Sequence, residues 1–119
     1  MFVERLERIA RSVGGAGLVS LVAADGIPVE SHSTLEVEDL DVEALAAELL
    51  AQVHTIGENH RDFEMGAVEQ FSVTTDRYSA LLGRLNADYF LLLVLAAGSG
   101  LGRARFELRR ATLAFEDDL

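Results

Sequence analysis

The side chains best able to do chemistry in this 119-residue chain are three histidines and ten arginines, and their spacing limits what they can do. His54 and Glu58 stand four positions apart, as neighbours on one helix face would, with His60 just beyond. A zinc site needs three or four converging ligands, and no cysteine is present to supply a thiolate. Solvated or partner-facing histidines are therefore expected, with no metal and no cofactor. Ser99-Gly100-Leu101-Gly102-Arg103 opens a helix, where free N–H groups attract anions. It lacks both the Gly-Lys-Ser/Thr ending of a phosphate-binding loop and the full Gly-x-Gly-x-x-Gly spacing. A tight turn, with glycine for close packing, is the simpler reading. Arg103, Arg105, Arg109 and Arg110 form a cationic face in which Glu107 can pair with some of the guanidiniums. No catalytic constellation assembles, so no catalytic residues are assigned and function has to reside in surfaces.

Charge locates those surfaces. The net charge of −10 opposes nucleic acid as a partner, because phosphate binding needs clustered positive charge. Residues 25–70 hold twelve acids against the single Arg61, whereas 103–110 carry four arginines and one acid. Half the residues are hydrophobic, which is a globular composition. The absence of cysteine excludes disulfides and thiol catalysis. The chain opens on charged, helix-like Met1-Phe-Val-Glu-Arg-Leu-Glu-Arg, and its longest apolar run, Tyr89 to Ala97, is too short to span a bilayer as a helix. A single cytoplasmic domain over 1–119, with no membrane insertion, is expected.

The elements that must position these groups follow from periodicity. Phe2, Leu6, Ile9 and Val13 have the spacing of one helix face, and the glycines from Gly14 end that helix. Leu18 to Ala23 reads as a strand apolar on both faces. Asp25-Gly26 signals a two-residue hairpin turn into Ile27–His32, where Pro28 indicates an edge. The longest helix runs from about Val42 to His60 with Asp39 or Asp41 as N-cap. Val42, Leu45, Leu49, Val53 and Ile56 should sit on the sheet, and a second strip of Ala47, Leu50, Ala51 and His54 lies alongside. That arc is wider than one contact needs, so the helix is either deeply buried or meets a second copy of itself; small alanines favour the second. Strands over Ala67–Thr75, Tyr78–Leu85 and Tyr89–Ala96 then form an antiparallel meander. A helix from about Leu101 to Phe115 closes the chain on a stripe of Leu101, Ala104, Leu108, Ala111 and Phe115.

The fold class is thus α/β (α+β), an αββαβββα sandwich with a five-stranded antiparallel sheet. The two most apolar strands lie in the middle, the Ile27 and Ala67 strands take the edges, helices 1 and 3 cover one face and helix 2 the other. A long bare edge strand is an aggregation hazard. Pairing the Ala67 edge with a second copy removes the hazard and brings the two long helices together, so a homodimer is expected. Leu50, His54, Val68, Gln70, Phe71, Ser72 and Val73 are its expected interface. Glu43, Ala47, Glu48, Ala51, Glu58 and Asp62, on or just after the long helix, would make an acidic, partly apolar platform for a further partner.

With this order of elements, three segments resemble the roadblock family, which includes dynein light chains and bacterial MglB-type regulators of Ras-like GTPases. They are Gly17-Leu-Val-Ser-Leu-Val-Ala-Ala-Asp-Gly-Ile-Pro-Val29, Tyr89-Phe-Leu-Leu-Leu-Val-Leu95 and Leu101-Gly-Arg-Ala-Arg-Phe-Glu-Leu-Arg-Arg-Ala111. The resemblance covers essentially the whole length. It implies a homodimer through the third strand and second helix, and a non-enzymatic role: docking onto a small Ras-like GTPase and tuning its nucleotide cycle, or scaffolding a complex. Arginine fingers supplied in trans from 103–110 are a possibility the resemblance argues against, because such regulators reshape the GTPase's own switch region. The chain stops at Leu119, so partner contacts that some relatives make through a longer C-terminal segment do not transfer. The rival outside this class is a small-molecule sensor with a pocket between helix and sheet.

Overall fold

A strand as apolar as Tyr89–Ala96 has to be covered on both faces, and it takes the middle of the sheet. The computed structural model describes residues 2–14, 16–34, 40–60 and 64–115. Over these the elements run α1 (Phe2–Val13), β1 (Ala16–Ala23), β2 (Pro28–Ser33), α2 (Val42–His60), β3 (Gln70–Thr74), β4 (Tyr78–Arg84), β5 (Tyr89–Ala96) and α3 (Leu101–Phe115). They build one five-stranded sheet in the order β2-β1-β5-β4-β3, antiparallel throughout. The α+β sandwich expected from periodicity is the one observed.

Alternation along β5 divides the core in two. Leu91, Leu93 and Leu95 join Val19, Leu21 and Leu81 beneath α1 and α3, which contribute Leu6, Val13, Ala104, Leu108 and Phe115. Phe90, Leu92 and Val94 face the other way, with Leu18, Val22 and Leu82, beneath Ala46, Leu49, Leu50 and Val53 of α2. Each fully buried leucine contributes roughly 2 kcal/mol, so an unbroken Leu91–Leu95 run is a large share of what holds the layers together.

Local chemistry sets the ends of the elements. Gly14 adopts φ +62°, the left-handed conformation that stops α1. Asp41 caps α2: its Oδ1 accepts the Ala44 N–H at 3.0 Å and its carbonyl accepts the Leu45 N–H at 3.0 Å. The alternative cap, Asp39, lies outside the described residues.

Two expectations are corrected. The β1–β2 connection has four residues, Ala24-Asp25-Gly26-Ile27, rather than two. The Gly26 N–H donates to Ala23 O at 2.8 Å, and the Ala23 N–H donates to Ile27 O at 2.9 Å. Gly26 at φ +93° is the left-handed third residue of that loop, a geometry the Asp-Gly pair serves equally well. β3 begins at Gln70 instead of Ala67. As an edge strand it is held by β4 alone, and the ladder starts only where Gln70 comes opposite Gly83.

Gly83 also explains how closely α3 sits. A Cβ there would lie 2.8 Å from Leu108 Cγ, so the missing side chain is the space into which α3 lowers Leu108.

Candidate docking surface

The candidate surface is built from α2 and the edge strand β3. A 3.6-residue period puts Ala46, Leu49, Leu50 and Val53 of α2 on the sheet and turns Ala44, Ala47, Ala51 and Thr55 to solvent. Glu43, Glu48 and Glu58 are exposed around that ridge of small side chains. Glu48 is steadied by Gln52, whose Nε2 donates to its Oε1 at 3.0 Å.

The helix is held against the β1–β2 loop at two points. Gly26 packs so tightly that a Cβ would lie 3.0 Å from Ala47 Cα. Further along the helix, His54 Nε2 lies 3.2 Å from Ala24 O. His54 thus orients α2 while staying exposed. Of the expected partner-facing residues, Glu43, Ala47, Glu48, Ala51 and Glu58 all lie exposed on this helix, and Asp62 is outside the described residues.

β3 supplies the second half. Phe71 stands opposite Leu82 and Val73 opposite Ala80, which places both on the face that α2 covers. Coverage is incomplete: Val73 is 40 % exposed, and Phe71 and Val68 are half-buried against the α2-side core. Gln70 and Ser72 turn to the opposite face and are exposed. The outer edge of β3 has no strand paired to it among the described residues. Leu50 is corrected. It is 2 % exposed inside the α2-side core, because the buried arc of the helix is centred between the two expected strips and takes Leu50 with it. It supports the surface from below and cannot line it.

A groove of about 370 Å³ runs beside the C-terminal half of α2, lined by Val53, Gly57, Glu58, Val68, Arg84 and Phe90. It is open to solvent. Among the described residues no three histidine, aspartate or glutamate side chains gather closely enough to hold a metal ion. The tight turn lies just before the Ser99–Arg103 segment: Gly98 adopts φ +85° and the Ser99 N–H returns to Ala96 O at 3.3 Å, while Leu101, Gly102 and Arg103 already belong to α3. No helix among the described residues is long and apolar enough to cross a membrane.

The arginines of α3 divide. Arg103 Nη2 lies 3.2 Å and Arg110 Nη1 3.8 Å from Oε1 of Glu107, which is 4 % exposed. Arg103 Nε also donates to Ser12 O at 3.2 Å, tying α3 to α1. Arg105 and Arg109 form no side-chain ion pair or hydrogen bond among the described residues. Two apolar pairs are exposed, Ile27 with Val29, which alternation sets apart in the second strand, and Phe106 with Leu113, which periodicity did not single out. The second pair was findable, since seven positions is two helical turns and lies off the buried stripe.

No protein-family model matches the sequence, and no curated protein sequence does. Solved structures do. The gliding protein MglB from Thermus thermophilus superposes at TM-score 0.86 and 18% identity, covering 97% of this chain and 85% of that one. A Roadblock/LC7 domain from Streptomyces avermitilis gives TM-score 0.80 at 14% identity, with 94% and 92% covered. MglC from Myxococcus xanthus gives TM-score 0.72 at 29% identity, with 99% and 98% covered. With αββαβββα order, one antiparallel sheet and α2 alone on its face, the chain has the roadblock-type fold of the MglB proteins.

Proposed function

We propose that this chain is a non-enzymatic regulatory protein that homodimerises through α2 and the open edge of β3 and docks a Ras-like small GTPase on the acidic platform so formed. The observation that carries the reading is the coincidence of three features on one side of the sheet. They are an unpaired β3 edge, an incompletely covered apolar strip of Val68, Phe71 and Val73, and an exposed α2 ridge with Glu43, Glu48 and Glu58 around Ala47 and Ala51. Pairing β3 with its copy satisfies the edge N–H and C=O groups, and the partner's helix covers the strip. His54 and the exposed Gln70 and Ser72 then lie at or beside the seam. The doubled acidic ridge attracts a partner that presents basic groups around an apolar patch. The likeness to MglB and MglC structures supports a regulator over an enzyme.

A regulator can shift a nucleotide cycle only by binding one state more tightly than the other. The test is the affinity for a Ras-like GTPase of the same host, loaded with GDP and then with a non-hydrolysable GTP analogue. Preference for the GTP form, with faster hydrolysis in turnover assays, is the expected result. Equal affinity for both forms would leave a scaffold. Binding to neither, across the host's Ras-like GTPases, would overturn the reading.

A further inference from the structure

The acidic face accounts for one side of the sheet only. Seven of the ten arginines, Arg5, Arg8 and Arg11 of α1 and Arg103, Arg105, Arg109 and Arg110 of α3, ride on the two helices that cover the other side. These helices carry only three acids, Glu4, Glu7 and Glu107. Among the described residues the molecule is therefore polarised across its thickness, and its basic face lies away from the surface proposed for the GTPase.

The basic face is shaped as well as charged. Phe106 is 59 % and Leu113 54 % exposed, and they stand two turns apart along the outer side of α3. On helical geometry Arg105 and Arg109 flank this apolar spine on one side, and Arg103 and Arg110 on the other. Beyond Arg110 lies an open groove of about 220 Å³ between α1 and α3, lined by Arg5, Arg8, Ile9, Glu107, Arg110 and Phe115. Arg103 and Arg110 lie within ion-pair distance of Glu107, while Arg105 and Arg109 form no side-chain ion pair or hydrogen bond among the described residues. The face thus offers apolar anchors, guanidiniums and a concavity.

We propose that the α1/α3 face is a second docking site, whose occupant is an acidic amphipathic segment of a partner protein: apolar side chains seated on Phe106 and Leu113, carboxylates on Arg105, Arg109 and Arg110. Charge complementarity selects the sign. Guanidinium forks match carboxylates in bidentate geometry, and arginines four apart on α3 match acids four apart on a helix lying along it. The net charge of −10 opposes approach of the whole chain to an anionic lipid surface, so a protein segment is favoured over a bilayer. The chain then works as an adaptor with two oppositely charged faces, each for a different partner.

The test is titration of the isotope-labelled full chain with short amphipathic helical peptides in which leucines are flanked by glutamates four apart. The controls are the same peptides with lysine for glutamate, and vesicles rich in phosphatidylserine. The expected result is salt-sensitive binding of the acidic peptides alone, with NMR shifts confined to α1 and α3. R105E/R109E and, separately, F106S/L113S should each weaken it about tenfold or more. All four side chains are exposed, so these variants should keep the parent melting temperature; E43R/E48R on α2 should leave peptide binding unchanged. Equal binding of acidic and basic peptides, no binding, shifts on α2, or indifference to both double variants would overturn the proposal. Binding to vesicles in place of the acidic peptides would overturn it in favour of a lipid surface.

Discussion

Glu107 is a carboxylate 4 % exposed on a helix whose other charges are solvated, and two exposed arginines reach in to it. Removing a charge from such a set differs in effect by which partner goes. Arg103→Ala with Arg110→Ala leaves a buried carboxylate without its solvent-screened partners and should cost about 1–3 kcal/mol of stability. Glu107→Gln removes the buried charge itself while keeping the shape, and should cost under about 1.5 kcal/mol. The triple variant should regain most of what the arginine pair lost. Urea denaturation of the three proteins measures this; equal losses for the arginine pair and for Glu107→Gln would show that the network is not electrostatic. Residues 103–110 announced a pairing between Glu107 and arginines, and helical spacing selects which: Arg103 and Arg110 stand four before and three after Glu107, on its side of α3, whereas Arg105 and Arg109, two positions away, do not face it. What spacing does not contain is the burial of Glu107, which depends on how α3 packs.

At the scale of elements, legibility tracked how many neighbours an element has. β5 and β1 were readable because burial on both faces leaves an unbroken apolar run, and α2 was readable because an aspartate cap and a long 3.6-residue period agree. The edge strands were less so. β3 starts later than its composition suggests, and the second strand starts at Pro28 rather than Ile27; Ile27 just before it and Val29 within it are 56 % and 51 % exposed. Alternation says that a strand has two faces; it does not say that a helix extends far enough to cover them, and β2 supplies no buried residue to either core. Leu50 fails for the converse reason. Its surroundings are decided by the centre of the α2 arc, which two overlapping strips left ambiguous. The contact between α3 and β4 gives a test at this scale. Gly83→Ala places a Cβ 2.8 Å from Leu108 Cγ and should cost about 1–3 kcal/mol through overpacking. In a Leu108→Ala background the same change should cost much less, so a double-mutant cycle should show strong coupling. Additive losses would mean that Leu108 does not rest on Gly83.

For the whole molecule, the proposed homodimer and the two faces make separable predictions. Val73→Arg puts a charge on the exposed apolar strip at the β3 edge, beside its own copy in a paired dimer. It should convert the protein to a monomer in light scattering at micromolar concentration while far-UV circular dichroism is unchanged. A dimer that persists would remove β3 as the seam. The largest consequence concerns the order in which the chain is made. β1, complete by Ala23, pairs across its length with β5, Ala16 standing opposite Leu95, and β2 has β1 as its one strand neighbour. The centre of the sheet therefore joins an early and a late part of the chain, with α2 and three strands, β2, β3 and β4, between them in sequence. Contacts this distant in sequence make folding slow. During synthesis, β1 leaves the ribosome as a bare apolar strand and stays without its central partner until β5 has emerged. Fragments ending before Tyr89 should thus be insoluble or chaperone-bound, and acquisition of protease resistance by stalled chains should come as a single late step.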